Sequence, residues 1–280
     1  MFFDIPDNLK VQVYKDLLVQ KLLKEQKNMV ENYGWNIADI EDPSEELQLL
    51  AINEEPYVIA IIENPSEKVQ LEAINQNPNV IEEIDFPCIK AQKLAITEDP
   101  SLIQLIEDPS EEVQLYAIIQ DPYAIEFIDF PCIKAQKLAI AENPGLIQLI
   151  EDPSISVQLD AINENPYCIQ YIKNPSEEMQ LAAVNQAGYV IEYISFPSEK
   201  VQLVAVNENP YDIKFIKNPS ILVQLVAVTI DPYVIELIEN PSVEVQLAAI
   251  VEDPRIIEVL DDPLEIMKLA VERNNLILNE

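Results

Sequence analysis

Glutamates return along this chain at multiples of 22 residues: Glu63, Glu107, Glu151 and Glu239 form one series, and Glu82, Glu126, Glu192, Glu236 and Glu258 a second. Carboxylates in such a row could do three kinds of chemistry. A pair flanking a cleft can run acid–base hydrolysis of a glycosidic bond, a set within a DxDxDG loop can hold calcium, and a row can present negative charge to a cationic partner. Hydrolysis needs one cleft, and acids repeated from unit to unit mark none. No DxDxDG loop occurs in the sequence. That leaves a charged face, either merely solvated or offered to a basic protein.

Other reactive side chains add little. There is no histidine, the side chain most used for proton transfer near neutral pH, and only three glycines are present to shape a phosphate loop. Cys88, Cys132 and Cys168 form no CxxC pair, and their odd number argues against a disulfide framework. No nucleophile, base or phosphate loop assembles, so an enzyme is not expected, nor a metal or cofactor.

Two further series are polar or aromatic. Glutamine recurs at Gln48, Gln70, Gln92, Gln114, Gln136, Gln158, Gln180, Gln202, Gln224 and Gln246. On a helical wheel it falls inside an apolar arc. This predicts a buried ladder in which each amide satisfies backbone groups at turns, a buried amide without partners costing about 1–3 kcal/mol. The alternative is a row of amides reading an extended partner. Aromatics stand four apart as Tyr167 with Tyr171, Tyr189 with Tyr193, and Tyr211 with Phe215, as i,i+4 neighbours on a helix would. They serve packing between units or a partly exposed stripe that anchors a partner.

The elements that position these residues follow from proline. Prolines stand every 22 residues from Pro43 to Pro263, and a second series follows each of the first ten by 13 residues, with Gly188 replacing proline once. A fixed period of this length is the signature of a solenoid. Number each unit from its first proline. Asn or Asp precedes most prolines of both series, with Phe86, Phe130 and Phe196 among the exceptions. Asn or Asp followed by Pro reads as a capped helix start, which predicts that each proline opens a helix. A unit then holds a helix of roughly ten residues and one of roughly seven, too short to persist without its neighbours. The apolar arc of the first falls on positions 5, 7, 9 and 10, with alanine at 9 (Ala51, Ala73, Ala95 and onward to Ala249) allowing close approach. The second has isoleucine at 17, and its glutamates at 18 and 21 read as lying opposite the apolar side.

The expected fold is an all-α solenoid of about eleven 22-residue two-helix repeats with divergent capping ends. Residues 1–33 read as an N-terminal amphipathic helical cap, 34–262 as the repeat array, and 263–280 as a shortened C-terminal capping unit. Residues 65–108 and 109–152 are near-copies, sharing "DFPCIKAQKLAI", as if a two-unit block had been duplicated. Cys88 and Cys132 are then copies of one structural position.

Charge bounds the partners. The 280 residues carry a net charge of -33, which repels nucleic acid and anionic membranes and favours basic proteins. Residues 43–280 hold 42 acids and 12 bases, so with helices spaced about 9 Å apart the array bears about three negative charges per 9 Å. That is the linear density of a single nucleic-acid strand, at about one charge per 3.4 Å, and about half that of a duplex. Mimicry of nucleic acid is thus compatible with the charge. The opening "MFFDIPDNLK" lacks a basic region followed by an apolar stretch, no apolar run approaches the length of a membrane span, and a reducing cytoplasm is the expected compartment.

The phrases "NPSEEMQLAAVNQAGYVIEYI" and "NPSEKVQLEAINQNPNVIEEI" resemble an uncharacterised family of short HEAT-like helical repeats in bacterial and bacteriophage proteins, catalogued as a domain of unknown function. The likeness covers residues 34–280. It implies an α-solenoid, often phage-encoded, and carries over no catalytic residue. A phage origin implies a host-directed role in the host cytoplasm, including inhibition of a host defence or nucleic-acid-processing protein. The leading expectation is a non-enzymatic solenoid whose acidic, aromatic-flanked surface occupies the nucleic-acid groove of a basic protein, without binding nucleic acid or membrane itself. The alternative is a self-associating scaffold, a homodimer through residues 8–32, in which the N-terminal helix is a dimer contact and not a cap.

Overall fold

The computed structural model describes residues 7–260 and 268. Among these residues all regular structure is helical, ten-residue α-helices alternating with six-residue 3-10 helices. The chain divides into two compact units, residues 1–138 and 139–280.

The first unit opens with α1 (Asp7–Asn32) and a 3-10 helix at Gly34–Asp39. Then come α2 (Glu45–Glu54), α3 (Glu67–Gln76), α4 (Ile89–Glu98) and α5 (Glu111–Gln120), each followed by a 3-10 helix beginning at Pro56, Pro78, Pro100 or Pro122. The division falls within α6 (Ile133–Glu142). The second unit holds a 3-10 helix at Pro144–Leu149 and then α7 (Ile155–Glu164), α8 (Glu177–Val184), α9 (Glu199–Glu208), α10 (Ile221–Ile230) and α11 (Val243–Glu252), each followed by its own 3-10 helix. Within each unit successive α-helices pack on one another, and so do successive 3-10 helices. Each unit is thus a two-layered stack of rungs, an all-α solenoid. The capping unit expected at 263–280 lies, Lys268 apart, outside the described residues, as does Pro6.

The core lies between the layers. The α-layer supplies positions 5, 9 and 10, as Val69, Ala73 and Ile74; the 3-10 layer supplies 16, 17 and 20, as Val80, Ile81 and Ile84, all buried. Position 7, expected in the arc, is only half-buried, as at Leu71 and Leu203. Alanine at 9 is fully buried from Ala51 to Ala249, where a larger side chain would push adjacent helices apart.

Two expectations about the elements need correction. The first proline of a rung does not open the α-helix. Ser44 caps α2, its hydroxyl accepting from Leu47 N at 3.5 Å, and Pro43 stands one residue earlier. The Asn or Asp before that proline is instead left-handed in all described rungs but that of Asp152, with φ of 48–54° at Asp42, Asn64, Asp108, Asn174, Asn218 and Asn240, the conformation short polar side chains tolerate best. It turns the chain from one rung into the next. The second proline behaves as expected: Asn77 accepts from Asn79 N at 3.1 Å and Pro78 is the first residue of its helix.

That second helix is a 3-10 helix of six residues, not an α-helix of seven. Its bonds close over three residues, as Ile62 N to Ile59 O at 3.1 Å. At about 2.0 Å rise per residue, six residues span about 12 Å against about 9 Å in α geometry, nearer the 15 Å of the α-helix alongside.

Candidate functional site

Three residues per turn decide which side chains share a face. In a 3-10 helix positions 15 and 18 eclipse one another, while 17 and the capping residue at 20 are buried. The acid at 18 therefore shares the solvent side with the aromatic at 15, position 19 lies about a third of a turn away, and the acid at 21 follows the helix in the bend that leads to the next rung. The α-periodicity that made 15 and 19 one stripe, with acids opposite, does not apply.

All nine expected glutamates, Glu63, Glu82, Glu107, Glu126, Glu151, Glu192, Glu236, Glu239 and Glu258, are exposed. Among the described residues, none of the nine takes part in an ion pair or a side-chain hydrogen bond. Several lysines pair in the other layer. Lys68, Lys90, Lys134 and Lys200 pair with Glu45, Glu67, Glu111 and Glu177 of the preceding rung, at the starts of the α-helices. The α-layer edge is thus partly neutralised. The 3-10 edge holds bases as well, all in the second unit: Lys214 at position 18, Lys173 and Lys217 at position 21, each exposed, and Arg255 paired with Asp253 at 2.7 Å. In the first unit no lysine stands at position 18 or 21 of the 3-10 edge.

In the first unit this edge is notched between rungs. A cleft of about 540 Å³ is lined by Glu63, Gln70, Glu83, Asp85 and Phe86. A second, of about 500 Å³, is lined by Glu82, Glu107, Asp108, Gln114, Asp129 and Phe130, and a third, of about 700 Å³, by Glu41, Asp42, Gln48 and Glu63. Glu63, Glu82 and Glu107 are thereby brought together with acids outside the expected series.

Sequence reasoning missed the phenylalanines. Phe86 is 87% exposed, Phe130 90% and Phe196 91%, with Asp85 and Asp129 beside the first two. The signal was there: each breaks the rule of Asn or Asp before the first proline.

The expected tyrosines are half-exposed, between 40% and 42% for Tyr167, Tyr171, Tyr189, Tyr193 and Tyr211, and Phe215 is more buried. Their ring contacts run between rungs. Tyr167 meets Tyr189 with centroids 5.5 Å apart and Tyr193 at 6.1 Å, and the hydrogen bond with Tyr189 holds the Tyr167 hydroxyl above its ordinary pKa. Tyr211 donates to Asp231 at 2.9 Å, which raises the tyrosine's pKa.

Every glutamine of the series, Gln48, Gln70, Gln92, Gln114, Gln136, Gln158, Gln180, Gln202, Gln224 and Gln246, donates from Nε2 to the carbonyl of its own rung's first proline, at 2.7–3.0 Å. Gln70 and Gln114 also accept at Oε1 from Cys88 N and Cys132 N of the next rung, both at 2.8 Å. The Oε1 atoms of Gln180, Gln202 and Gln224 are buried without a partner.

Comparison with protein-family models, with characterised proteins and with solved structures finds no match. No helix among the described residues is long and apolar enough to cross a membrane. What this edge can do chemically therefore rests on its own side chains: unpaired carboxylates, exposed phenylalanines and half-exposed tyrosines, a set suited to cations on an amphipathic surface.

Proposed function

We propose that this chain is a non-enzymatic binding solenoid whose 3-10 edge engages a basic protein in the groove that protein uses for nucleic acid. The observation that carries the reading is the asymmetry of pairing in the first unit: lysines pair with glutamates at the α-helix starts, no lysine stands at position 18 or 21 of the 3-10 edge, and Glu63, Glu82, Glu107 and Glu126 stay exposed without an ion pair among the described residues. Unpaired carboxylates steer a cationic partner, and Phe86 and Phe130 supply the aromatic anchors on which interface energy concentrates. A host defence or nucleic-acid-processing protein is the partner class that the resemblance to bacteriophage repeat proteins implies.

The test is capture of partners from a bacterial lysate, followed by displacement of labelled duplex DNA from each captured protein. Binding and displacement are expected to fall steeply as salt is raised by about one decade from 0.05 M. Both are expected to be lost with Glu82→Gln, Glu107→Gln and Glu126→Gln combined. Partners held equally well by this variant, or held without displacing DNA, would refute the proposal.

A further inference from the structure

We infer that the N-terminal two-thirds of α1 is a docking helix for a second copy of this chain. The inference goes beyond the acidic-edge reading and does not rest on it. α1 has 26 residues and α2 has ten, about 39 Å against 15 Å at 1.5 Å per residue, so α1 outruns the rung it packs on. Near its C-terminus it acts as a cap: Val30 is fully buried and Gln26 half-buried. Every described side chain from Tyr14 to Glu25 is exposed.

That stretch is not a solvated polar helix. Tyr14, Leu17, Leu18, Val19, Leu22 and Leu23 are each 43–70% exposed. Tyr14, Leu18 and Leu22 recur every four residues along one side. Val19 and Leu23 continue the side that buries Val30, so the face the repeats cover at one end runs on uncovered past α2. A stretch of helix that carries these six exposed apolar side chains without a neighbour is marginal in water.

Charge selects the occupant. Residues 1–32 hold five lysines and five carboxylates, so the whole net charge of -33 falls on residues 33–280. Two copies approaching through their acidic repeats repel each other, whereas through α1 they meet neutral, apolar surface. A two-fold, antiparallel pairing of α1 helices sets like stripe against like stripe, the self-complementary contact of most homodimers. The helix thus serves as cap at one end and as dimer contact at the other.

Sedimentation velocity of the full chain, over about two decades of concentration up to 100 µM, tests this by mass action. The wild type is expected to pass from one chain to two. Leu18→Glu with Leu22→Glu, and the milder Leu18→Ser with Leu22→Ser, are expected to weaken the dimer at least tenfold by like-charge repulsion or lost burial. Their urea midpoints should match that of the monomeric wild type, because both positions are already exposed in the single chain. A wild type that stays monomeric throughout, or a dimer that survives both variants, would overturn the inference. So would a monomer that floats with phosphatidylserine vesicles, which would assign α1 to lipid. The combined Glu82, Glu107 and Glu126 variant should dimerise like wild type, which separates this test from that of the acidic edge.

Discussion

Gly188 stands where the neighbouring rungs carry Pro166 and Pro210, and Asp212 stands where they carry Val190 and Val234. The two departures are in contact. Asp212 is 3% exposed, and its Oδ2 lies 2.7 Å from the place a Cβ on residue 188 would occupy, closer than such atoms can sit. Glycine at 188 makes room for the buried carboxylate, whose Oδ1 accepts from Asn209 Nδ2 at 3.0 Å. Restoring proline by Gly188→Pro should therefore cost about 1–3 kcal/mol through overpacking. In an Asp212→Val background valine ends one atom sooner, and the same proline should stabilise by about 0.4–1 kcal/mol by restricting the unfolded chain. The double-mutant cycle should close with a coupling of about 1.5–4 kcal/mol. Burial raises the Asp212 pKa, with Lys214 and Asn209 opposing. The native state then holds this proton more tightly than the unfolded chain, so stability falls as pH rises from the ordinary carboxylate range through the folded pKa. Asp212→Val should remove that slope. The assay is urea unfolding followed by far-UV circular dichroism, with amide exchange over residues 188–215 to localise the effect, because a repeat array need not unfold in one step. Equal effects of Gly188→Pro in both backgrounds would refute the coupling.

The glutamine ladder makes a ranking testable by urea midpoints. Gln114→Leu strips partners from both Pro109 O and Cys132 N and should cost about 1–3 kcal/mol. Gln202→Leu loses one bond, to Pro197 O, and removes an oxygen that is buried without a partner, so it should cost about 1 kcal/mol less. The reverse order would show that the interrung bond contributes nothing. Cysteine labelling gives an independent check. Cys168 is buried and its pKa is pushed up to about 11 by desolvation, whereas Cys88 and Cys132 are half-buried. Alkylation of the native protein near pH 8 should modify Cys88 and Cys132 first, with Cys168 reacting only on unfolding. Mass spectrometry showing early modification of Cys168 would contradict the placement of position 16 in the core.

Much of the fold was legible because a 22-residue period repeats the same evidence: alanine at 9 and isoleucine at 17 in ten rungs, and Asn or Asp before the second helix in eight, each had one physical reason. What was illegible lay in local geometry that composition underdetermines. Asn-Pro occurs twice around the rung that starts at Pro65, with two meanings, a cap at Asn77 and a left-handed turn at Asn64, and both suit a short polar side chain. The distinguishing signal was Ser66, which takes the capping role three residues before Val69. The second helix was misread because six residues carry too few turns to separate a period of 3.6 from one of 3.0. That error moved the acids away from the aromatics, and the acidic edge with tyrosine beside glutamate emerges only once the tighter helix is known.

Phe86, Phe130 and Phe196 show where folding reasons stop. In six rungs this position is Asn or Asp in the left-handed region, which disfavours a bulky side chain; the three phenylalanines, like Asp152, are not left-handed. The substitution gives the core nothing, since each ring is at least 87% exposed. It also removes a polar residue from a turn that favours one. Phe130 could be an echo of Phe86 through the duplicated block at 65–152, but Phe196 lies outside that block, so the substitution arose in two contexts. Three solvent-facing phenylalanines, two of them on the rims of carboxylate-lined clefts, are the residues that the proposed partner contact would bury. On that proposal, a partner that buries them would meet the surrounding negative charge with positive charge of its own, the chemistry already proposed for the unpaired glutamates.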